Sequence, residues 1–241
     1  MIIDQSLSDK LVKIRRTHYE EREAKHEPSG KLSASSLGKP LQWQILKYIG
    51  IPRKYVDDYA LGLFERGNQV EEYIISHLPT VETQKEVFYR GTIGIIDAMI
   101  DTSDHFMNVG VIPHEIKSVK NTKYKRILDT NAPDEQYILQ ACQNALAINA
   151  SHFAVVIVAS DDLRMTPYLF ETETYKHEVD KIIDTFEAQK AKKEVPVFTP
   201  RYKWQENPMY NDYESFSNMS VDEIVKKLKT EYPEIYKKFV S

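Results

Sequence analysis

Apolar residues follow two rhythms along this chain. Over residues 4–27, Leu7, Leu11 and Ile14 recur at helical spacing among charged neighbours, which predicts a surface helix. EPSGKLSASSLG, residues 27–38, carries the Gly, Pro and Ser of a loop. Ser35 or Ser36 is placed to cap a helix over 40–49. After the turn GIPRKY, residues 55–78 return to helical spacing through Tyr59, Leu63, Val70, Ile74 and Ile75. Gly67 interrupts that run and marks close packing or a kink.

From 81 to 119 the period drops to two, in VETQKEVFYR, TIGIIDAMID and FMNVGVIPHEIKS. The last two read as antiparallel strands joined near Thr102 to His105. Pro113 assigns the start of the third strand to an edge or bulge position, because proline has no N–H for a ladder. Residues 119–133 read as a basic loop and 134–148 as a helix with Ile138, Cys142, Ala145 and Ile148 on or near one face. FAVVIVAS, 153–160, is apolar without a break, as a strand covered on both faces requires. MTPYLFETE pairs with it through a turn at 160–164, and a long helix follows. Residues 195–218 are rich in Pro and Tyr and irregular. The chain closes on one or two short helices, where Ser220 and Glu223 have capping-box spacing. The predicted fold is α/β, a central mixed β-sheet flanked by helices, in one domain over 1–241. Its core covers about 33–195, with an irregular and helical extension over 196–241.

A length of 241 residues suits one large domain or two small ones. The formal charge of −4 argues against a broad basic coat and leaves room for a local basic groove. No stretch approaches the run of about 18 apolar residues that a membrane span needs, so no membrane partner is expected. The first residues lack the apolar core of a signal peptide, and the single cysteine, Cys142, excludes an internal disulfide. The expected setting is a reducing, cytoplasmic one.

Candidate chemistry concentrates between Ile93 and Lys117. Residues two apart on a strand share a face, so Glu115 and Lys117 emerge together and Ile116 turns away. Asp97 lies on the preceding strand. Two carboxylates on adjacent strands form a site for a hard divalent cation with oxygen ligands. A lysine beside them orients water or steadies a charged transition state. A structural salt bridge at the sheet rim fits the same three residues. Lys117, Lys120, Lys123, Lys125 and Arg126, with Tyr124 among them, suit a DNA backbone and a stacked base, or a solvated loop. Ser35 and Ser36 offer hydroxyls to a phosphate, or a helix cap. The histidines show no metal spacing, and there is no Walker loop and no nucleophile-elbow serine.

Taken in order, SASSLG, RGNQVEE, GIIDAMID, HEIKS and YILQACQNA resemble the PD-(D/E)xK nuclease superfamily over roughly residues 33–217. The resembling branch is that of RecB-type domains, lambda-type exonucleases and Cas4-like proteins. The resemblance implies a restriction-endonuclease-like core of helix, three-strand meander, helix and further strand. It implies Asp97 as central metal ligand, Glu115 as second carboxylate, and the backbone carbonyl of Ile116 beside them. Lys117 would contact the attacking water and the phosphate, and Glu71 would ligate directly or through water. Gln140 would help place Lys117 or the DNA. Asn144 stands where such families often have Tyr.

The activity so implied is Mg²⁺- or Mn²⁺-dependent hydrolysis of DNA phosphodiesters, by an exonuclease rather than an endonuclease. A setting in phage or mobile-element recombination, a homo-oligomer, and a recombination or helicase partner are further expectations. Two alternatives stay open: a catalytically idle DNA-binding or assembly protein of the same fold, and a structure-specific endonuclease. Many Cas4-like members hold an iron–sulfur cluster with four cysteines. Here the apparent cysteine places carry Pro40, Glu206, Asn211 and Ser217, so no such cluster is expected. The tail around Tyr202, Trp204, Tyr210, Tyr213 and Phe216 must then be held by packing or by another subunit.

Overall fold

The computed structural model describes residues 5–24, 29–104 and 109–241. Helix α1 (Gln5–Ala24) lies on α3 (Asp58–His77), joined by Arg15 to Glu65 at 2.6 Å and by Arg16 to Asp58 and the Val56 carbonyl. Leu7, Leu11 and Ile14 stay exposed, as a surface helix predicts. Residues 25–27 of the expected helix, and His105 to Asn108 of the expected β2–β3 turn and third strand, fall outside the described residues.

Five strands follow in chain order across one sheet: β1 (Thr80–Tyr89), β2 (Thr92–Asp101), β3 (Val111–Val119), β4 (His152–Ala159) and β5 (Met165–Glu171). The β1–β2, β2–β3 and β4–β5 pairs are antiparallel, and β3–β4 is parallel. The sheet is therefore mixed, and the fold is the α/β arrangement expected. A parallel pair needs a long crossover. Helices α4 (Asn121–Thr130) and α5 (Glu135–Ala147) supply it.

Pro113 sits on β3, a central strand rather than an edge. It pairs with Met99 of β2, and β4 joins only from His114 opposite Ala154. At Pro113 the strand is thus paired on one side alone, which is how it tolerates a residue without an N–H.

One face of the sheet packs α2 (Leu41–Tyr48), α5, α6 (Thr172–Ala191) and α7 (Val221–Glu231) around Phe153, Val155, Ile157, Leu139 and Phe186. The tail residues Tyr213, Phe216, Ile224 and Leu228 join that cluster. The other face packs Val70 and Ile74 of α3 against Ala98, Ile100, Ile116, Val156 and Val158. Every β4 residue after His152 is buried, so its unbroken apolar run reflects cover on both faces. The tail passes through short 3-10 turns to α7, capped by Ser220 with Glu223 as expected, and then to α8 (Pro233–Val240).

Three local expectations are corrected. Residues 121–130 form α4 instead of a loop, with Tyr124 and Ile127 buried on its inner side. Ser35 and Ser36 do not cap α2. They lie in a 3-10 turn at Ala34–Ser36, and Pro40 precedes α2 without a side-chain cap. Helix α3 runs through Gly67 without a break, and a Cβ there would meet Ser118 Oγ at an ordinary 3.6 Å.

Candidate active site

The site sits where β2 and β3 part. Their ladder runs from Asp101 opposite Val111 to Ala98 opposite His114. One step further the register would set Asp97 against Glu115, and there backbone pairing ends. The Asp97 side chain takes over, its Oδ2 accepting the Ile116 N–H at 2.7 Å. Gly94 explains how β2 is held while it diverges. A Cβ at Gly94 would lie 2.0 Å from Asn144 Oδ1 and 2.6 Å from Gln143 Oε1. Its absence lets α5 come close enough for Asn144 to donate to the Ile95 carbonyl and Gln143 to Thr92 Oγ1, both at 2.9 Å.

Asp97 is 8% exposed and Glu115 1%. Lys117 Nζ makes an ion pair with Glu115 Oε1. Among the described residues, neither Glu115 oxygen accepts a hydrogen bond of ordinary geometry, and Oε2 has no partner. Glu71, half-buried on α3, accepts a 3.0 Å hydrogen bond from Gln84 Nε2. Gln84 lies between the Thr83–Ala98 and Lys85–Ile96 pairs, opposite Asp97, with a left-handed φ of 50°. That conformation is uncommon for a residue other than glycine and marks a held position.

These groups titrate against one another. Burial pushes Glu115 up to about 8, against the pull of Lys117. Burial, then the Asp97 charge, pushes Glu71 up to about 7. Burial raises Asp97 too, opposed by Lys117 and the Ile116 N–H. Burial works to lower Lys117, but Glu115, Asp97 and Glu71 together hold it above its ordinary value and keep it protonated. Three ionised carboxylates beside one ammonium leave two negative charges uncompensated, which is costly in a buried setting. Among the described residues, no three His, Cys, Asp or Glu side chains are gathered as a ready-made metal cage. Asp97 and Glu115 form the inner pair, with Glu71 at one remove.

The expected residues divide. Glu71, Asp97, Glu115 and Lys117 come together. Ile116 turns its side chain into the α3 cluster and gives its N–H to Asp97. Gln140 is half-buried on α5, and its side chain makes no hydrogen bond among the described residues; Tyr137, one turn earlier, meets the lysines. Its ring centre lies 6.0 Å from Lys117 Nζ, and its hydroxyl accepts from Lys123 at 2.8 Å. Lys123 and Arg126 both pair with Asp134 at 2.6 Å. Lys125 is exposed, and Lys120 donates to Tyr59 Oη at 2.7 Å. Tyr124 cannot stack on a base, because it is 5% exposed and its hydroxyl bonds Thr166.

Ser36 is buried and Ser35 exposed, and a serine not foreseen, Ser33, joins them. Ser33 Oγ lies 2.7 Å from Ser36 Oγ and 3.2 Å from Ser35 Oγ, and it accepts from Lys47 Nζ at 2.8 Å. Burial, then Arg53 and Lys39, lowers Lys47, against the pull of Asp212. Sequence reasoning missed Gln84, Tyr137, Ser33 and Lys47. Tyr137 carried one signal, its place three residues before Gln140 on the same helix face.

No protein-family profile matches this chain, and no curated protein does. Solved structures give remote likenesses. A crystal structure of an alkaline exonuclease, LHK-Exo, from Laribacter hongkongensis aligns at 16% identity and TM-score 0.45, over 67% of this chain and 90% of that one. The same enzyme in complex with dAMP aligns at 16% identity and TM-score 0.43, over 66% and 89%. The crystal structure of SSO0001 aligns at 19% identity and TM-score 0.49, over 83% and 91%. Likenesses at this level carry no conclusion about substrate or mechanism.

Proposed function

We propose that this chain is a metal-dependent DNA nuclease that hydrolyses phosphodiester bonds, acting as an exonuclease. The observation that carries the reading is the meeting of Asp97, Glu115 and Lys117, with Glu115 almost sealed from water and one of its oxygens without a partner. A buried carboxylate oxygen with no donor fits a cation ligand, and a divalent ion would offset the two negative charges left over once all three carboxylates ionise. Asp97, Glu115 and the Ile116 carbonyl would hold Mg²⁺ or Mn²⁺, with Glu71 behind them. When bound, the ion supplies positive charge to the phosphate oxygens and makes water more acidic.

The chain's own residues do the rest. Asp97 Oδ2 accepts from the Ile116 N–H, so its carboxylate is aimed before any ligand arrives. Lys117, held protonated, acts as a donor. It orients the attacking water and meets the negative charge that grows on the phosphate. The water oxygen bonds to phosphorus and the ester P–O bond breaks. The water's proton leaves to solvent while the departing oxygen takes one up. Gln140, Ser35, Ser36, Lys120, Lys123 and Lys125 would place the DNA.

The closed Lys117–Glu115 ion pair favours a second reading, an idle DNA-binding or assembly protein in which the pair is structural. Cleavage of linear DNA by the native chain, Asp97→Ala and Lys117→Ala, in Mg²⁺ and in Mn²⁺, separates the two. Cleavage by the native chain alone is expected. Equal cleavage by all three removes the mechanism, and no cleavage in either metal favours the idle protein. Circular DNA in the same assay tests for an endonuclease.

A further inference from the structure

Beside the candidate site, two tyrosine rings stand largely in water. Tyr59, in the first turn of α3, is 62% exposed, and Tyr210, in the 3-10 turn Pro208–Tyr210, is 54% exposed. Lys120 stands with them. It lies three residues past Lys117, its Nζ donates to Tyr59 Oη at 2.7 Å, and it sits 5.4 Å from the centre of the Tyr59 ring. Tyr59, Tyr210 and Arg66 are all near enough to Lys120 to influence its charge. Tyr210 is braced from behind. Its ring meets Trp204 edge-on at 6.0 Å, Trp204 stacks on Tyr202 at 6.3 Å, and Lys39 lies 5.1 Å from the Trp204 ring. An exposed ring propped edge-on by Trp204 and a second exposed ring bonded to Lys120 match the way proteins hold unpaired nucleotides, on aromatic rings set among basic groups.

We propose that Tyr59 and Tyr210, with Lys120 beside them, form a base-stacking platform for a single-stranded stretch of DNA leading to the Asp97–Glu115 site. The proposal rests on the nuclease reading for its direction and deepens it by naming the form of the substrate. The occupant follows from charge and shape. Lys117, Lys120 and Arg66, the last 3.6 Å from Asp161, offer positive charge to a backbone of phosphates, whereas base pairs hide the faces that Tyr59 and Tyr210 would cover. Distance sets the length. Tyr59 precedes Glu71 by twelve residues on α3, about 18 Å at the helical rise of about 1.5 Å per residue. That corresponds to roughly five nucleotides at a stacked rise of about 3.4 Å.

The test is binding of a fluorescent 12-nucleotide strand, with Ca²⁺ replacing Mg²⁺, read by anisotropy. A matching strand with abasic sites keeps the phosphates and lacks the bases. Tyr59→Leu and Tyr210→Leu are expected to weaken binding of the intact strand about tenfold each. Tyr59→Phe is expected to stay within about twofold, and the abasic strand to bind all variants alike. Both rings are exposed, so thermal melts should match the native chain and exclude misfolding. Native-like binding by both leucine variants overturns the platform, as does an equal loss on the abasic strand or failure of the native chain to bind it intact. The two readings fail separately. Cleavage without tyrosine dependence removes the platform alone, and tyrosine-dependent binding without cleavage in any metal removes the nuclease alone.

Discussion

Asp97 Oδ2 accepts the N–H of Ile116 at 2.7 Å, where the β2–β3 ladder has just ended. A side chain thus completes a bond that backbone would make in a regular sheet. The splayed strands open the gap in which Asp97 and Glu115 meet, and the same carboxylate keeps the gap from opening further. Asp97 has a structural duty and a chemical one, and substitutions can part them.

Asp97→Asn retains an oxygen that can accept from Ile116 and removes the charge. It should fold with a melting temperature close to the native value and lose at least about 100-fold in cleavage, by the scale of losing a charge-stabilising group. Asp97→Ala should lose the same activity and also about 1.5–3 kcal/mol of stability, the worth of a hydrogen bond to a charged group. Equal melting temperatures for the two variants would show that the Ile116 bond does not hold the strands.

The carboxylates also set a pH dependence. Glu71 is pushed up to about 7 and Glu115 to about 8, from ordinary values near 4.5. Between those limits the folded state binds more protons than the unfolded one, so these groups stabilise less as pH rises through their folded values. A divalent cation competes with the same protons. The rise in melting temperature caused by Mn²⁺ should therefore be larger at pH 8 than at pH 6. Glu115→Gln should cut that rise by at least half at pH 8. A cation effect equal at both pH values, or unchanged in Glu115→Gln, would place the ion elsewhere.

Much of this was legible in the residue pattern because the relevant period is short. Alternation fixed that Glu115 and Lys117 share a face while Ile116 turns to α3. The apolar run 153–160 announced a strand buried on both sides, and Ser220 with Glu223 announced α7. What stayed hidden depends on approach between distant segments. Gln84 reads as one more polar residue on an edge strand until α3 brings Glu71 to it. Tyr124 and Tyr59 are equally aromatic and equally close to lysines in sequence or space. Only the rotation of α4 buries one, and only the exposed first turn of α3 leaves the other in water. The basic stretch read as a loop because its charges mask Tyr124, Ile127 and the helix they nucleate against β4 and β5.

Gly94 offers a test of that long-range fit. Its missing Cβ is filled by two amide side chains of α5, at 2.0 and 2.6 Å from where the carbon would sit. Gly94→Ala should cost about 1–3 kcal/mol, the scale of overpacking a filled core. It should also reduce cleavage, since β2 carries Asp97 three residues on. Gly94→Ala with Asn144→Ala removes the nearer clash, so the double variant should be more stable than the sum of the singles predicts, by more than about 0.5 kcal/mol. Strict additivity would mean that α5 moves away freely and does not position β2.

The tail makes the last prediction, because a chain with a single cysteine has no internal disulfide to hold it. Gln205 is fully buried, and its side chain makes three hydrogen bonds among the described residues. Its Nε2 donates to the Gly38 carbonyl at 2.8 Å, and its Oε1 accepts from Arg201 N at 2.8 Å and Tyr202 N at 3.0 Å. Arg201 in turn reaches Glu178 at 2.8 Å and Glu135 at 3.2 Å. One amide thus ties the tail to the loop that carries Ser33, Ser35 and Ser36. Gln205→Ala leaves three backbone groups without their partner, at about 1 kcal/mol or more each. A loss of about 3 kcal/mol should lower the melting temperature by roughly 6–12 °C in a chain of this size. Tyr210→Leu, in the same tail but exposed, should not move it. If Gln205→Ala melts like the native chain, the tail is held by its other contacts, and the serine loop is anchored independently of Gln205.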